Sequence, residues 1–216
     1  MVSSTGALAL PEVPKKMIVV GGGVIGLEMG SVYSRLGTEV TVVEFLDKIL
    51  PPMDNEISKK MQQLLKKQGM QFKLSTKVVG GKVNGDSVTV EMENIKTGKK
   101  ETVETDYVLV ATGRLPYTDG LQLDKAGLET DKRGRIAVNL ENFETQSKGV
   151  FAIGDVIEGP MLAHKAEEDG IACVEGLAGL GGHVNYDTVP GVVYTYPEVA
   201  QVGKTEEELT KEGKRG

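Results

Sequence analysis

The chain has 216 residues, one cysteine and a formal net charge of −6. Its length suits one large domain, or one domain with pieces of others. The acidic balance argues against nucleic acid or an anionic membrane as a partner, the single Cys173 excludes an internal disulfide or a C-x-x-C pair, and no apolar run nears the roughly 20 residues that span a bilayer.

Residues 1–16 do not read as a self-contained unit. Ser3-Ser4-Thr5-Gly6 has the composition of a loop, and Pro11 and Pro14 keep the approach to the first strand extended. Met17-Ile18-Val19-Val20 is an apolar run that enters three glycines, and Gly21, Gly23 and Gly26 make G-x-G-x-x-G. Ile25, Met29, Val32, Tyr33 and Leu36 recur at helical spacing and predict the apolar face of a helix ending at Gly37. Val40-Thr41-Val42-Val43 predicts a second strand, and Glu44 follows it.

Strand, glycine turn, helix, strand and acid form a Rossmann-like pattern for a dinucleotide. Gly21 allows the tight turn, Gly23 lets a pyrophosphate approach the backbone, and Gly26 lets the helix pack on the strand. The helix N-terminus offers N–H groups and a positive dipole end to phosphate. Glu44 comes about 20 residues after the turn, the spacing expected of an acid that holds a ribose 2′-OH. The alternative is a glycine-rich α/β turn kept for packing alone.

Pro51-Pro52 break the chain, and Asp54 then caps a helix with Ile57, Met61, Leu64 and Leu65 on its apolar face and Gly69 at its end. Met70, Phe72 and Leu74 alternate as in a third strand. From Val78 the pattern predicts short strands separated by Gly80-Gly81, Asn84-Gly85 and Thr97-Gly98. Val88, Val90 and Met92 alternate with polar residues, as on a half-solvated antiparallel sheet. Tyr107-Val108-Leu109-Val110 predicts a buried strand ending in Ala111-Thr112-Gly113-Arg114, small residues that allow close approach of a ligand or a neighbouring domain.

Residues 119–148 are polar and loop-rich. Val150-Phe151-Ala152-Ile153 predicts another buried strand, with Asp155 at its C-terminal end. A carboxylate there meets sugar or polyol hydroxyls, or caps a helix. A helix is expected from Met161 through Leu162, Ala166, Asp169, Cys173 and Leu177. Cys173 is expected to be a buried thiol and not a nucleophile. His164 falls in the first turn of that helix, and His183 reads as a solvated loop residue. Tyr194 to Val199 is expected to begin a β segment, and Thr205 to Leu209 to start a helix that runs to Gly216. A new sheet with no core to complete it, together with the connector at the start, predicts a piece of a longer protein.

In the family's order and over nearly the whole chain, residues 2–8, 21–30, 40–45, 75–78, 111–114, 152–155, 159–166 and 197–200 resemble the pyridine nucleotide–disulfide oxidoreductases. The resemblance is to the type that oxidises dihydrolipoyl groups. It implies an α/β fold: a Rossmann-like three-layer NAD-binding domain with an antiparallel β-meander, plus partial FAD-domain segments. On that pattern residues 1–16 connect from the FAD domain, 17–144 form the NAD-binding domain, 145–186 return to the FAD domain and 187–216 begin the dimerisation domain. The resemblance implies a flavoprotein homodimer that serves the lipoyl domains of 2-oxo acid dehydrogenase complexes. Electrons pass through a disulfide and FAD to NAD, in the mitochondrial matrix or a bacterial cytoplasm.

By resemblance, NAD meets Gly21, Gly22, Gly23, Val24, Ile25, Gly26, Leu27 and Glu28, with Glu44 on the adenosine ribose and the backbones of Val78 and Gly113 beside it. Asp155 matches the carboxylate on the FAD ribityl chain. Met161, Leu162, Ala163 and His164 match a helix start whose N–H groups face the flavin. The family's C-x-x-x-x-C pair, its first dinucleotide fingerprint and its C-terminal His-Glu pair have no counterpart in the sequence. No catalytic residue and no metal ligand is therefore assigned, the FAD site is expected to be incomplete, and the chain alone is expected to be inactive. Competing readings are another FAD- and NAD-linked member, such as an NADH oxidase or a glutathione reductase-like protein, and a stand-alone NAD-binding module without catalysis. Glu44 disfavours NADP-linked members, which need a cation at the 2′-phosphate.

Overall fold

The computed structural model describes residues 1–214. The chain forms two compact units. One comprises Met1–Gly113 and the segment beginning at Pro190, and the other comprises Arg114–Val189.

In the first unit the β-branched runs become strands β1 (Lys16–Val20), β2 (Glu39–Val43), β3 (Gln71–Lys73) and β7 (Tyr107–Val110) of one parallel sheet, in the order β3-β2-β1-β7. Successive side chains leave a strand on opposite faces. Met17, Val19, Val40, Val42 and Leu109 therefore join one core with Leu27 and Tyr33 of α2 (Val24–Arg35) and Met61 and Leu65 of α3 (Asn55–Lys67). Ile18, Val43 and Val108 point the other way. They meet Val88, Val90 and Met92 of an antiparallel meander, β4 (Thr76–Asn84), β5 (Ser87–Asn94) and β6 (Lys100–Thr105). Helices, parallel sheet and meander are the three layers expected.

Several local expectations change. Ser4–Ala7 is a helical turn, α1, capped by Ser3, and Val2 bridges the free edge of β7 at Leu109. The Ala7 carbonyl accepts from the Tyr33 hydroxyl and the Pro14 carbonyl from Thr38 Oγ1 (2.7 Å), so the opening residues belong to the first unit. The buried face of α2 is Gly26, Leu27, Gly30, Ser31 and Tyr33, while the expected Val32 and Leu36 are exposed. Close approach decides this: a Cβ at Gly30 would lie 3.0 Å from Met70 Cε and 3.4 Å from Val40 Cγ1. Likewise α3 buries Ser58, Met61 and Leu65, with Ile57 and Leu64 at the exposed flanks. Gly80-Gly81 does not separate strands. It lies within β4 at a bulge between Val78 and Gly80.

The last segment also has a core. Strands β8 (Gly191–Val193) and β9 (Val199–Gln201) pair antiparallel, so Tyr194 to Pro197 form their connection and not a strand. Val193 is fully buried in the helix-side core of the first unit. The capping box of Thr205 and Glu208 starts α5 (Glu206–Lys211), which ends at its C-cap Glu212 and does not run on through residue 214 as expected; residues 215–216 lie outside the described residues.

The second unit gathers Ile136, Phe143, Ala152, Ile157, Ala172, Cys173 and Val184 around α4 (Ala163–Leu177). The strand expected at 150–153 does not form. Phe151 makes one isolated bridge with Glu144, because the polar stretch before it supplies only single bridges and no partner strand. Asp155 thus sits in a 3-10 turn, Gly154–Val156, and not at a strand end. Among the described residues no helix is long and apolar enough to cross a membrane.

Candidate functional site

The chain runs from β1 outward through β2 to β3 and later places β7 on the other side of β1. That reversal is a topological switch point, where open α/β sheets take ligands beyond the strand C-termini. Gly21 leaves β1 there, Glu44 leaves β2, and Ala111-Thr112-Gly113 leaves β7.

The three fingerprint glycines differ in what requires them. Gly21 has φ 111°, and a Cβ on it would strike the Ala111 carbonyl. A Cβ on Gly26 would strike the Gly21 carbonyl oxygen and lie 3.1 Å from Val19 Cγ1. Both are demanded by the fold. Gly23 is not: its φ is −79°, and nothing lies within 4 Å of a Cβ built there. Gly23 is also the N-cap of α2 and makes no side-chain cap bond. The turn thus holds open backbone surface and a helix N-terminus without a side-chain acceptor, which fits the pyrophosphate of a dinucleotide.

Glu44 is buried, and its carboxylate already has two partners. Oε2 accepts from the Gly22 N–H at 2.6 Å and Oε1 from the Leu46 N–H at 2.8 Å. Each oxygen keeps a second lone pair, so the acid both ties down the glycine turn and remains able to accept from a hydroxyl. The Glu44 carbonyl accepts from the Thr76 N–H at 2.9 Å, which brings the start of β4, and Val78 two residues on, to the end of β2. Gly113 has φ 137° with open space around its Cβ position. On α2, Val24 is exposed, Ile25 half-buried and Leu27 fully buried, and Glu28 Oε1 accepts from the Tyr194 N–H at 2.8 Å.

In the second unit Asp155 is partly exposed, with Oδ2 3.6 Å from Arg114 Nη2. Met161 and Leu162 are half-buried and Ala163 and His164 exposed at the start of α4, whose N-cap Leu162 makes no side-chain cap bond. A partly exposed carboxylate near an apolar-capped helix start fits a ligand that carries both hydroxyls and negative charge. Cys173 is buried, and burial raises its thiol above the ordinary range, the opposite of what a nucleophile needs. His183 is exposed.

Sequence reasoning missed one constellation. Lys165 and Asp169 are completely buried and paired on α4, and Tyr186 donates to Asp169 Oδ1 at 2.8 Å. Burial first, then the bond to Asp169, pushes the Tyr186 phenol above its ordinary range. The available signal was opposite charges four residues apart on a helix that also carries Ala166, Ala172 and Cys173.

A family model described as pyridine nucleotide-disulphide oxidoreductase matches residues 1–170. A mitochondrial dihydrolipoyl dehydrogenase of Arabidopsis thaliana, form 2, is 65% identical over 213 residues, covering 99% of this chain and 42% of that protein. The mitochondrial dihydrolipoyl dehydrogenase of Pisum sativum is 64% identical, with the same coverage of 99% and 42%. The solved HOCl-induced flavoprotein disulfide reductase RclA from Escherichia coli is similar with a TM-score of 0.87 at 30% identity, over 97% of this chain and 47% of that one. The chain thus spans about 42% of the length of the curated relatives it matches.

Proposed function

The chain belongs to the pyridine nucleotide-disulphide oxidoreductase family, and from that premise we propose that it is the NAD-binding core of a dihydrolipoyl dehydrogenase. The observation that carries the reading is Gly23. It leaves its Cβ position open at the N-cap of α2, beside the sheet's switch point and next to the Gly22 N–H held by Glu44, which is where a pyrophosphate would approach the backbone. In this reading Gly21, Gly22, Gly23, Val24, Ile25, Gly26, Leu27 and Glu28 line the NAD pyrophosphate and nicotinamide, and Glu44 accepts from the adenosine ribose. The backbones of Val78 and Gly113 flank the same cofactor. Asp155 accepts from the ribityl hydroxyls of FAD, and the α4 start from Met161 to His164 faces the flavin ring, where its dipole favours negative charge.

The domain assignment is part of the proposal. By resemblance residues 17–144 are assigned to NAD, residues 1–16 and 145–186 to FAD-domain segments, and 187–216 to the start of a dimerisation domain. The compact units divide instead after Gly113 and before Pro190, so residues 1–16 fall in the unit of the NAD turn and 114–144 in the unit of Asp155. The whole enzyme is a homodimer of the mitochondrial matrix that oxidises lipoyl domains of 2-oxo acid dehydrogenase complexes. The relatives' names support the dihydrolipoyl dehydrogenase reading and the mitochondrial location; the homodimer and the lipoyl-domain partners rest on the family resemblance. When bound, FAD would supply electron-transfer chemistry between a dithiol and NAD, with Asp155 and the α4 start as the residues of this chain that would hold it. This chain's residues bind and orient the two cofactors and contribute no nucleophile.

Calorimetric titration with NADH and NADPH tests the reading. Glu44 should favour NADH by about tenfold to a hundredfold, the worth of a charged hydrogen bond of roughly 1.5–3 kcal/mol. Glu44→Ala should narrow that gap and also weaken NADH, because it removes the acceptor of the Gly22 N–H. Glu44→Gln should narrow the gap with less loss of NADH affinity. Equal affinity for both nucleotides in the unmutated chain overturns the assignment.

A further inference from the structure

Both polar backbone groups of one residue, Gly154, end on a buried charged pair. Lys165 Nζ donates to the Gly154 carbonyl at 3.0 Å and lies 2.7 Å from Asp169 Oδ2. The same Oδ2 accepts from the Gly154 N–H at 3.0 Å, while Oδ1 accepts from the Tyr186 hydroxyl at 2.8 Å. The ammonium also sits over the Tyr186 ring, 5.8 Å from its centroid. Gly154 has φ 72°, a conformation that L side chains rarely adopt, and a Cβ there would lie 3.1 Å from Ala166 Cβ. The clamp therefore holds a left-handed backbone kink directly before Asp155.

Stability alone does not account for this arrangement. Two ions taken wholly out of water lose hydration that their mutual attraction barely returns, and an apolar pair of similar volume is often as stable. Lys165 is also the third residue of α4, where a cation opposes the helix dipole. An apolar pair, however, has no group that holds the N–H and C=O of Gly154. We propose that Lys165, Asp169 and Tyr186 are positioning residues for Asp155, fixing the Gly154 turn and so the direction in which the Asp155 carboxylate is presented. The inference rests on the reading of Asp155 as the carboxylate that meets the flavin polyol.

Nuclear magnetic resonance on the 216-residue chain tests the clamp without any ligand, so its failure is separate from any failure of the flavin reading. The probes are amide exchange at Gly154 and Asp155, the Asp155 side-chain carboxyl resonance, and amide exchange at Ala172 and Leu109 as reporters of global stability. In Lys165→Met/Asp169→Leu, Gly154 exchange should accelerate about tenfold to a hundredfold and the Asp155 carboxyl resonance should move, with Ala172 and Leu109 unchanged. Tyr186→Phe, which removes one hydroxyl, should produce the same pattern at several-fold amplitude, and it carries the test if the double variant does not fold. Acceleration at Gly154 matched by an equal factor at Ala172 would reduce the pair to general stabilisation and overturn the proposal. So would an Asp155 carboxyl resonance that stays in place once Gly154 is released.

Discussion

Gly23 and Gly26 stand three residues apart in the same turn, yet glycine serves a different purpose at each. At Gly26 the fold leaves no room, with the Gly21 carbonyl and Val19 Cγ1 against the missing Cβ. At Gly23 the room is empty and the backbone is ordinary. Gly26→Ala should therefore destabilise the chain by about 1–3 kcal/mol through overpacking. Gly23→Ala should leave stability nearly unchanged, because the loss of an N-cap glycine and the reduced freedom of the unfolded chain offset one another. It should lower NADH affinity at least about tenfold, since its methyl group would occupy the space of the pyrophosphate. Urea midpoints and NADH calorimetry on the two variants separate the effects. A Gly23→Ala chain that binds NADH like the unmutated one would mean that this turn does not approach a phosphate. The spacing of the three glycines was visible in the sequence, but which glycine serves the fold and which serves a ligand depended on what lies opposite each Cβ.

At the scale of elements, the order of the parallel-sheet unit was legible, while the helical turn at Ser4–Ala7, the missing strand at 150–153 and the orientation of α2 were not. The helix after the fingerprint was expected, but its buried stripe runs through Gly26 and Gly30, because the sheet draws in the face that allows the closest approach. A count of large apolar residues misses such a stripe by construction. The start of α3 was read correctly, because a cap is a local device. The Asp54 side chain accepts from the Glu56 N–H at 2.9 Å, and that bond first, then the Glu206 N–H, holds its carboxyl below the usual range. The charged form is the one the fold favours. Its stabilising contribution is thus complete above the ordinary value of 3.8 and fades as pH falls through the lowered folded value. Asp54→Ala should lower the urea midpoint at neutral pH, and the difference from the unmutated chain should narrow as pH falls below the ordinary value of 3.8. A difference of the same size in acid would show that the carboxylate charge is not what stabilises α3.

Over the whole molecule each unit carries its own core, the first around the parallel sheet and the second around α4. The sequence contains a single G-x-G-x-x-G, and its one cysteine is buried. The purified chain should accordingly be colourless, bind NADH, and form no NADH from dihydrolipoamide and NAD. Absorbance near the flavin bands, calorimetry and a dihydrolipoamide-coupled assay check the three parts. A stoichiometrically yellow protein, or turnover above the uncatalysed background, would overturn the assignment of roles. What the sequence determined by itself was local: the strand–glycine–helix–strand–acid series, the helix caps and the hairpin turns, each written in a few neighbouring residues. Tertiary structure alone decided what depends on distant partners. It turned α2 onto its glycines, denied the 150–153 run a neighbouring strand, gave Glu44 a second task at the Gly22 N–H, and joined Lys165, Asp169 and Tyr186 around Gly154. Close approach and strand pairing depend on residues brought together from far along the chain, and the Lys165–Asp169 pair, although four residues apart in sequence, meets Gly154 and Tyr186 only in the fold.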